Sequence, residues 1–316
     1  MTQGMADVSA ADDVPRFQEL FVPALRALQG GEAKRSRAIV SEVANALELT
    51  TGQRARQIPS GQRQYDNRLN WALSYLFQAA AVTKPSRGVY QITDRGRALL
   101  TSHPDGFRVD VLREFTEFQD FAARTRSSVP EAGGRPSSVE ETEQPPFEVV
   151  SAAVARLNAE VASELVRRLR SAEPVFLEKA VLKLLVAMGY GDGSDAAVHL
   201  GGPGDGGFDG VINQDRLGIG RVYVQAKRYA EDNIVGRPAV QGFVGALHHA
   251  GAAGGVIITT SRFSPDAVEF ARSITPRVVL IDGLRLGELM VRHGVGVQDR
   301  QIFRVVETDD DFFEDV

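Results

Sequence analysis

Residues 127–144 read SSVPEAGGRPSSVEETEQ, and no other stretch limits the chain so strongly. Apart from Ala132, its apolar residues are two valines. So little apolar surface cannot offset the entropy of ordering the segment, and its prolines give it the character of a semi-flexible linker. One core running through all 316 residues is therefore excluded. A usual domain size of roughly 150 residues gives a prior of about two domains, one on each side of the break.

Composition narrows the function classes. With 43% hydrophobic and 24% charged residues, the chain is not wholly disordered. No apolar run approaches the length of roughly 18 residues that marks a membrane-spanning helix. Met1 to Arg16 is polar and acidic, so it reads as a disordered N-terminus and not as a secretory signal. Cysteine is absent, which removes disulfides, thiolate zinc sites and cysteine nucleophiles, and fits a reducing compartment. The five histidines lack the spacing of a zinc-binding HExxH helix.

A net charge of −5 argues superficially against a nucleic-acid partner, yet the charge is unevenly spread. Residues 16–126 carry 17 Lys/Arg against 11 Asp/Glu, a net of +6. Residues 173–306 carry 14 of each, while Glu307 to Val316 has six acids and no base. Phosphate contact depends on local patches, so a basic front half remains compatible with DNA.

In the front half, residues 17–102 predict a winged helix-turn-helix domain. Phe21, Leu25 and Leu28 suit one helical face and Ile39, Val43 and Leu47 a second, with Gly30 and Gly31 between them. A third helix runs from Asp66 to Ala81, capped by Asp66, with Leu69, Ala72, Leu73 and Leu76 inward. Its other face presents Arg68, Asn70 and Ser74. Ala81–Thr83 and Val89–Ile92 predict two strands around the turn at 85–88, with a helix from near Asp94. In such a fold the second helix of the turn enters the major groove and the wing touches backbone or minor groove. Arg68 and Asn70 are thus candidates for contact with DNA bases, and Lys84 and Arg87 for phosphates. Beyond it, residues 103–170 predict a helical connector and the linker. Val150, Val154, Leu157, Val161 and Leu165 form a helical stripe suited to a connector or an oligomer contact.

In the back half, residues 171–306 predict a mixed α/β domain. FLEKAVLKLLVAMG (176–189) is a helix with Phe176, Ala180, Val181, Leu184, Leu185 and Met188 inward and Glu178 in its first turn. Ala196–Leu200 is a short strand. The glycine-dense run at 201–210 lacks the Lys-Ser/Thr of a phosphate-binding loop. Strands at 207–213 and 220–229 then flank a turn at Asp215–Gly218. A hairpin centred on Leu217 sets residue i opposite 434 − i, so Asp209 faces Gln225. Alternation places Tyr223, Gln225 and Lys227 on one face and Val222, Val224 and Ala226 on the other. A carboxylate, an amide oxygen and an ammonium then converge. Oxygen donors suit Mg²⁺, or Mn²⁺ in its place, and a metal beside a phosphate lowers the pKa of its water. The lysine can orient that water or stabilise the charged transition state. Helices at 238–250, 265–273 (capped by Ser264) and 284–293 alternate with strands at 255–260 and 277–281. The hydroxyls of Thr259, Thr260 and Ser261 end a strand, where phosphate contact and simple strand preference are both open readings.

The segments GDGGFDGVINQDRLGIGRVYVQAKRY, VGRPAVQGFVGAL and GVIITTSRFSPDAVEFA resemble the Mrr family of modification-dependent (type IV) restriction endonucleases. SGQRQYDNRLNWALSYLFQAAAV and RGVYQITDRGRALL are similar to that family's N-terminal winged domain. The resemblance covers most of residues 17–102 and 174–298. It implies a PD-(D/E)XK-like nuclease core that cleaves methylated double-stranded DNA, with the catalytic aspartate on Asp209, the Gln-x-Lys pair on Gln225 and Lys227, and the helix glutamate on Glu178. Asp209, Gln225 and Glu178 are then the implied metal ligands. Gln225 stands where the wider class has a second acid, leaving one fewer negative charge for the metal. A homodimer or larger assembly is expected, because one cluster per chain cuts one strand at a time, and action in the cytoplasm on the nucleoid follows from the substrate. A non-cleaving DNA-binding regulator on a nuclease-derived fold and a structure-selective DNA nuclease are the competing expectations. Residues 307–316 read as an acidic tail that either mimics DNA or aids solubility.

Overall fold

The computed structural model describes residues 13–127, 144–191, 197–200, 207–215 and 220–306. The expected disordered N-terminus up to residue 12, the linker at 128–143, most of the glycine run (201–206), the tip of the hairpin turn (216–219) and the acidic tail lie outside them. The chain divides into two compact units, one built on residues up to Val154 and the other on Ala155–Arg304. Among the described residues, no helix is long and apolar enough to cross a membrane.

The first unit opens with a 3-10 turn at Phe17–Leu20 and continues through α1 (Phe21–Ala27), β1 (Lys34–Arg35), α2 (Ser36–Ala46), α3 (Thr51–Ala55) and α4 (Gln64–Gln78). Then come β2 (Val82–Ser86), β3 (Val89–Ile92), α5 (Asp94–Ser102), α6 (Val109–Leu112) and α7 (Thr116–Ser127). Phe21, Leu25, Leu28, Ile39, Val43, Leu69, Ala72, Leu73 and Leu76 share one core, as the helical spacing predicts. Leu47 does not join them. It caps the end of α2, and its side chain is left exposed. The third helix starts two residues earlier than expected, with Arg63 at its N-cap, so Asp66 sits in the first turn and is not the cap. β2 and β3 pair antiparallel (Val82↔Ile92, Thr83↔Gln91), with Gly88 at φ 64° in the turn between them, a conformation that favours glycine. β1 adds to the far side of β3 through Lys34↔Tyr90, completing a three-stranded winged arrangement.

A 26-residue helix, α8 (Pro146–Ser171), follows. Of its expected stripe only Leu165 packs against a core: Val150, Val154 and Val161 are exposed, and Leu157 is 58% exposed. Ala162, Val166 and Leu169 are buried instead, three positions offset by one or more residues from that stripe. The close approach of α8 to Gly287 explains the offset, since a Cβ there would lie 2.6 Å from the Ala162 carbonyl.

The second unit continues with α9 (Pro174–Ala187), β4 (Ala197–His199), β5 (Gly210–Asn213), β6 (Arg221–Lys227) and α10 (Arg237–His249). It ends with β7 (Gly254–Thr259), α11 (Pro265–Ser273), β8 (Arg277–Ile281) and α12 (Gly283–Arg292). The five strands form one sheet in the order β4-β5-β6-β7-β8. The β4–β5 and β5–β6 pairs are antiparallel, whereas the β6–β7 and β7–β8 pairs are parallel. Strand alternation gives the sheet two apolar faces. Ile212, Val224 and Ile258 pack with Val181 and Leu185 of α9 and with Leu286, Leu289 and Met290 of α12. Phe208, Ile257 and Val278 pack on the other side with Val240, Phe243 and Leu247 of α10 and Ala267 of α11. Gly210 lets α9 pack close, since a Cβ there would lie 2.6 Å from the Leu182 side chain, which would have to move. Phe176, expected inward, is 59% exposed, and Leu177 takes the buried place. Two more residues of helix precede it than the sequence suggested, which puts Glu178 in the second turn of α9.

Candidate active site

The β5–β6 hairpin sets the geometry. Gly210 pairs with Val224, Val211 with Tyr223 and Ile212 with Val222, which is the expected register. One residue further, the Asp209 amide donates to the Val224 carbonyl at 2.9 Å, and the Asp209 carbonyl accepts from the Leu200 amide at 2.9 Å. The backbone of Asp209 is thus tied to strands on both sides, but its amide bonds Val224, the partner of Gly210, and not Gln225 as the turn count predicts. Its Oδ2 accepts from the Ala226 amide at 2.6 Å. The Gln225 amide nitrogen donates to the Gly207 carbonyl, which leaves Oε1 as that side chain's acceptor. Val224 and Ala226 pack toward α9 and Tyr223 toward Phe208, so Gln225 and Lys227 share the face of Tyr223.

Asp209 reports on its neighbours electrostatically. Its carboxyl is pushed above the ordinary range, first by burial and then by the negative charge of Glu178. The Ala226 amide, Lys227 and His199 act in the opposite direction. Asp209, Glu178 and Lys227 therefore share one electrostatic neighbourhood. His199, the last residue of β4, was not foreseen. Its Nε2 lies 2.8 Å from Glu178 Oε2. Pairing of His199 with Gly210 brings it beside the site. The one signal in the sequence was its place at the end of a short strand before the glycine run.

Among the described residues, no group of three His, Asp or Glu side chains is arranged to hold a metal ion. The donor chemistry nonetheless suits a hard divalent cation. Asp209 and Glu178 are two like charges in one neighbourhood, which a cation retaining several of its own waters would relieve. Thr259, Thr260 and Ser261 do not supply phosphate contacts. All three are buried, with their hydroxyls donating to the backbone carbonyls of Lys227, Tyr229, Glu231 and Asn233.

In the first unit, Arg68 overturns the expected role in base contact. Its side chain is 6% exposed and forms an ion pair with Glu148, whose side chain is 5% exposed. Nε donates to Oε1 at 3.0 Å, Nη2 to Oε2 at 3.1 Å, and Nη1 to the Val14 carbonyl at 2.6 Å. A guanidinium so enclosed cannot reach a groove. Asn70, Lys84 and Arg87 are exposed. The Lys84 ammonium stands 5.5 Å from the ring centres of Phe77 and of Tyr90.

A mixed sheet covered on both faces, with a carboxylate, an amide and a lysine gathered on an antiparallel hairpin, defines a nuclease core of the PD-(D/E)XK type. The family described as "Restriction endonuclease" under the name Mrr_cat matches residues 169–290, and the Mrr N-terminal domain matches residues 17–102. The type IV methyl-directed restriction enzyme EcoKMrr of Escherichia coli (strain K12) is 37% identical over 306 residues, covering 95% of this chain and 99% of that protein. The chain belongs to the Mrr family of restriction endonucleases. Two solved structures are more distant. The DNA modification-dependent restriction endonuclease AspBHI gives a TM-score of 0.36 at 20% identity, covering 44% of this chain and 36% of its own. The MspJI restriction endonuclease in complex with a 27-mer oligonucleotide gives 0.30 at 23% identity, covering 52% and 36%.

Proposed function

We propose that this restriction endonuclease is methyl-directed and hydrolyses phosphodiester bonds of methylated double-stranded DNA, with Asp209, Glu178, Gln225 and Lys227 as its working residues. The observation that carries the assignment is the placement of Asp209: tied to two strands and within the fields of both Glu178 and Lys227. The name of the Escherichia coli relative supports the methyl-directed substrate.

Asp209 and Glu178 offer anionic oxygens, and Gln225 a neutral one, to a divalent cation, for which we propose Mg²⁺, with Mn²⁺ as a substitute. A cation held by those residues would supply Lewis-acid polarisation of the scissile phosphate and would lower the pKa of a water. Lys227 carries a fixed positive charge into the same space, where it holds the attacking water or stabilises the charge that develops on the phosphate. The amide of Ala226 fixes one oxygen of Asp209, so the other is the one free to turn toward the ion.

Residues 17–102 locate the DNA, residues 103–170 connect, and residues 171–306 cut. Asn70, Lys84 and Arg87 supply the contacts of the reader. Cutting both strands takes two such sites, so we expect a homodimer or larger assembly, acting in the cytoplasm on the nucleoid. The test uses plasmid from methylating and non-methylating hosts, with Mg²⁺ or with EDTA. Cleavage of the methylated plasmid alone, with Mg²⁺ alone, is the expected result. Asp209→Ala and Lys227→Ala should each lower the rate by about 10²-fold or more. Variants that cut as fast as the parent would remove the site assignment.

A further inference from the structure

We propose that His199 is a positioning residue of the nuclease site, its Nε2–H holding Glu178 Oε2 and so fixing the direction in which Glu178 presents its other oxygen. The inference rests on the function proposed above and adds a residue to it.

Glu178 is the more enclosed partner, with 17% of its side chain exposed against 28% for His199. A carboxylate so far removed from water needs hydrogen-bond donors. Among the described residues, the hydrogen bond recorded for the Glu178 side chain is the one to His199. A carboxylate only accepts, so in this pair Nε2 is the protonated nitrogen. Position in the fold makes the contact deliberate. Glu178 lies in the second turn of α9, beyond the first turn where a helix dipole alone would favour an acid. His199 sits on β4, paired with the residue that follows Asp209, so its ring is delivered from the strand bordering the catalytic hairpin. The two side chains influence Asp209 in opposite senses, Glu178 raising its carboxyl and His199 lowering it, which places both beside it.

A glutamate has three side-chain torsions, and without a fixed partner its carboxylate samples many directions. Holding one oxygen leaves the second confined to a narrow arc. A hydrogen-bond donor behind a ligating carboxylate contributes about 10–100-fold in metal affinity or activity.

The experiment measures metal affinity directly. Mn²⁺ is titrated into the full-length chain with a methylated duplex, in a Lys227→Ala background that leaves the duplex uncut, and free Mn²⁺ is read by electron paramagnetic resonance. His199→Ala should weaken binding by about ten-fold or more. His199→Gln, which returns an N–H near the position of Nε2, should recover most of it. In a Glu178→Ala background, His199→Ala should cause no further loss. With Lys227 intact, His199→Ala should raise the Mg²⁺ concentration for half-maximal cutting more than it lowers the rate at saturation. Unchanged Mn²⁺ affinity in His199→Ala, or an added loss in the Glu178→Ala background, overturns the role of His199. Loss of cutting in Asp209→Ala alongside either result leaves the proposed function standing, whereas full cutting by Asp209→Ala removes the function itself. If His199→Ala fails to fold, His199→Gln and Glu178→Ala carry the test: His199→Gln must retain Mn²⁺ binding that Glu178→Ala loses.

Discussion

The two units each hold a cluster of polar side chains, and the clusters differ in how fully they are satisfied. In the first, the Glu148 carboxylate accepts from Arg68, Asn67 and Gln64, while Arg68 also donates to the carbonyls of Val14 and Pro15. Opposite charges meet, and both are sealed from water. In the second, two carboxylates share a neighbourhood, and each has one recorded donor among the described residues: the Ala226 amide for Asp209 and His199 for Glu178. Saturation therefore separates a cluster that holds the fold from one with capacity to accept something more. Residue type does not separate them, since Gln, Asn and Arg on a DNA-reading helix are just the set that reads bases.

The sharpest way to break this contrast is to remove Arg68. Arg68→Ala strands the Glu148 carboxylate in the interior, and losing one partner of a buried pair costs about 3–5 kcal/mol. Urea unfolding should show that loss, and replacing both partners (Arg68→Met with Glu148→Leu) should restore most of it. A variant that keeps its unfolding midpoint but loses DNA affinity would return Arg68 to the reader.

Removing Lys84 or Arg87 should do the reverse. Each lies exposed on the wing, so an alanine should leave the midpoint in place, weaken DNA binding, and lower the slope of log affinity against log salt by about one. A binding titration at several salt concentrations checks this, and an unaltered slope moves the interface elsewhere.

The smallest effect sharpens the other half of the contrast. With its carboxyl raised, Asp209 holds its charge at greater cost in the folded chain than in the unfolded one. The contribution of its neutral form to stability is present below the ordinary aspartate range and is lost as pH rises through the folded value. At neutral pH the metal-free parent bears the strain of the charge, and Asp209→Asn should raise its thermal midpoint by about 1–3 °C. The gain should vanish in acid, and Mg²⁺ should raise the midpoint of the parent more than that of the variant. A variant no more stable than the parent at neutral pH would mean that Asp209 is already comfortable without a cation.

What the chain disclosed in advance follows from the range of each interaction. The hairpin register was legible from Gly210 to Asn213 because strand alternation and a short turn fix it locally, but the count did not carry through to Asp209, whose amide bonds Val224. Ser264 capping α11 was legible for the same reason. Arg68 was misread because its partner lies eighty residues away, across a segment with no periodicity to follow. His199 was invisible because its meeting with Glu178 depends on where a three-residue strand lands beside a helix. Leu47 and Phe176 failed at helix ends, where a shift of one or two residues turns an inward position outward. The brief β1 and α3 carry too few residues to show a period at all.

The buried hydroxyls at the end of β7 have one more effect. The carbonyl of Lys227 receives both the Thr260 amide and the Thr259 hydroxyl, and Ser261 clasps the chain a few residues on. The root of the lysine is thereby bolted to the floor of the sheet, so whatever wander its ammonium has comes from four methylenes and not from a swaying loop. An edit to a threonine buried beneath the strand can thus spoil the aim of the charge we propose for the reaction.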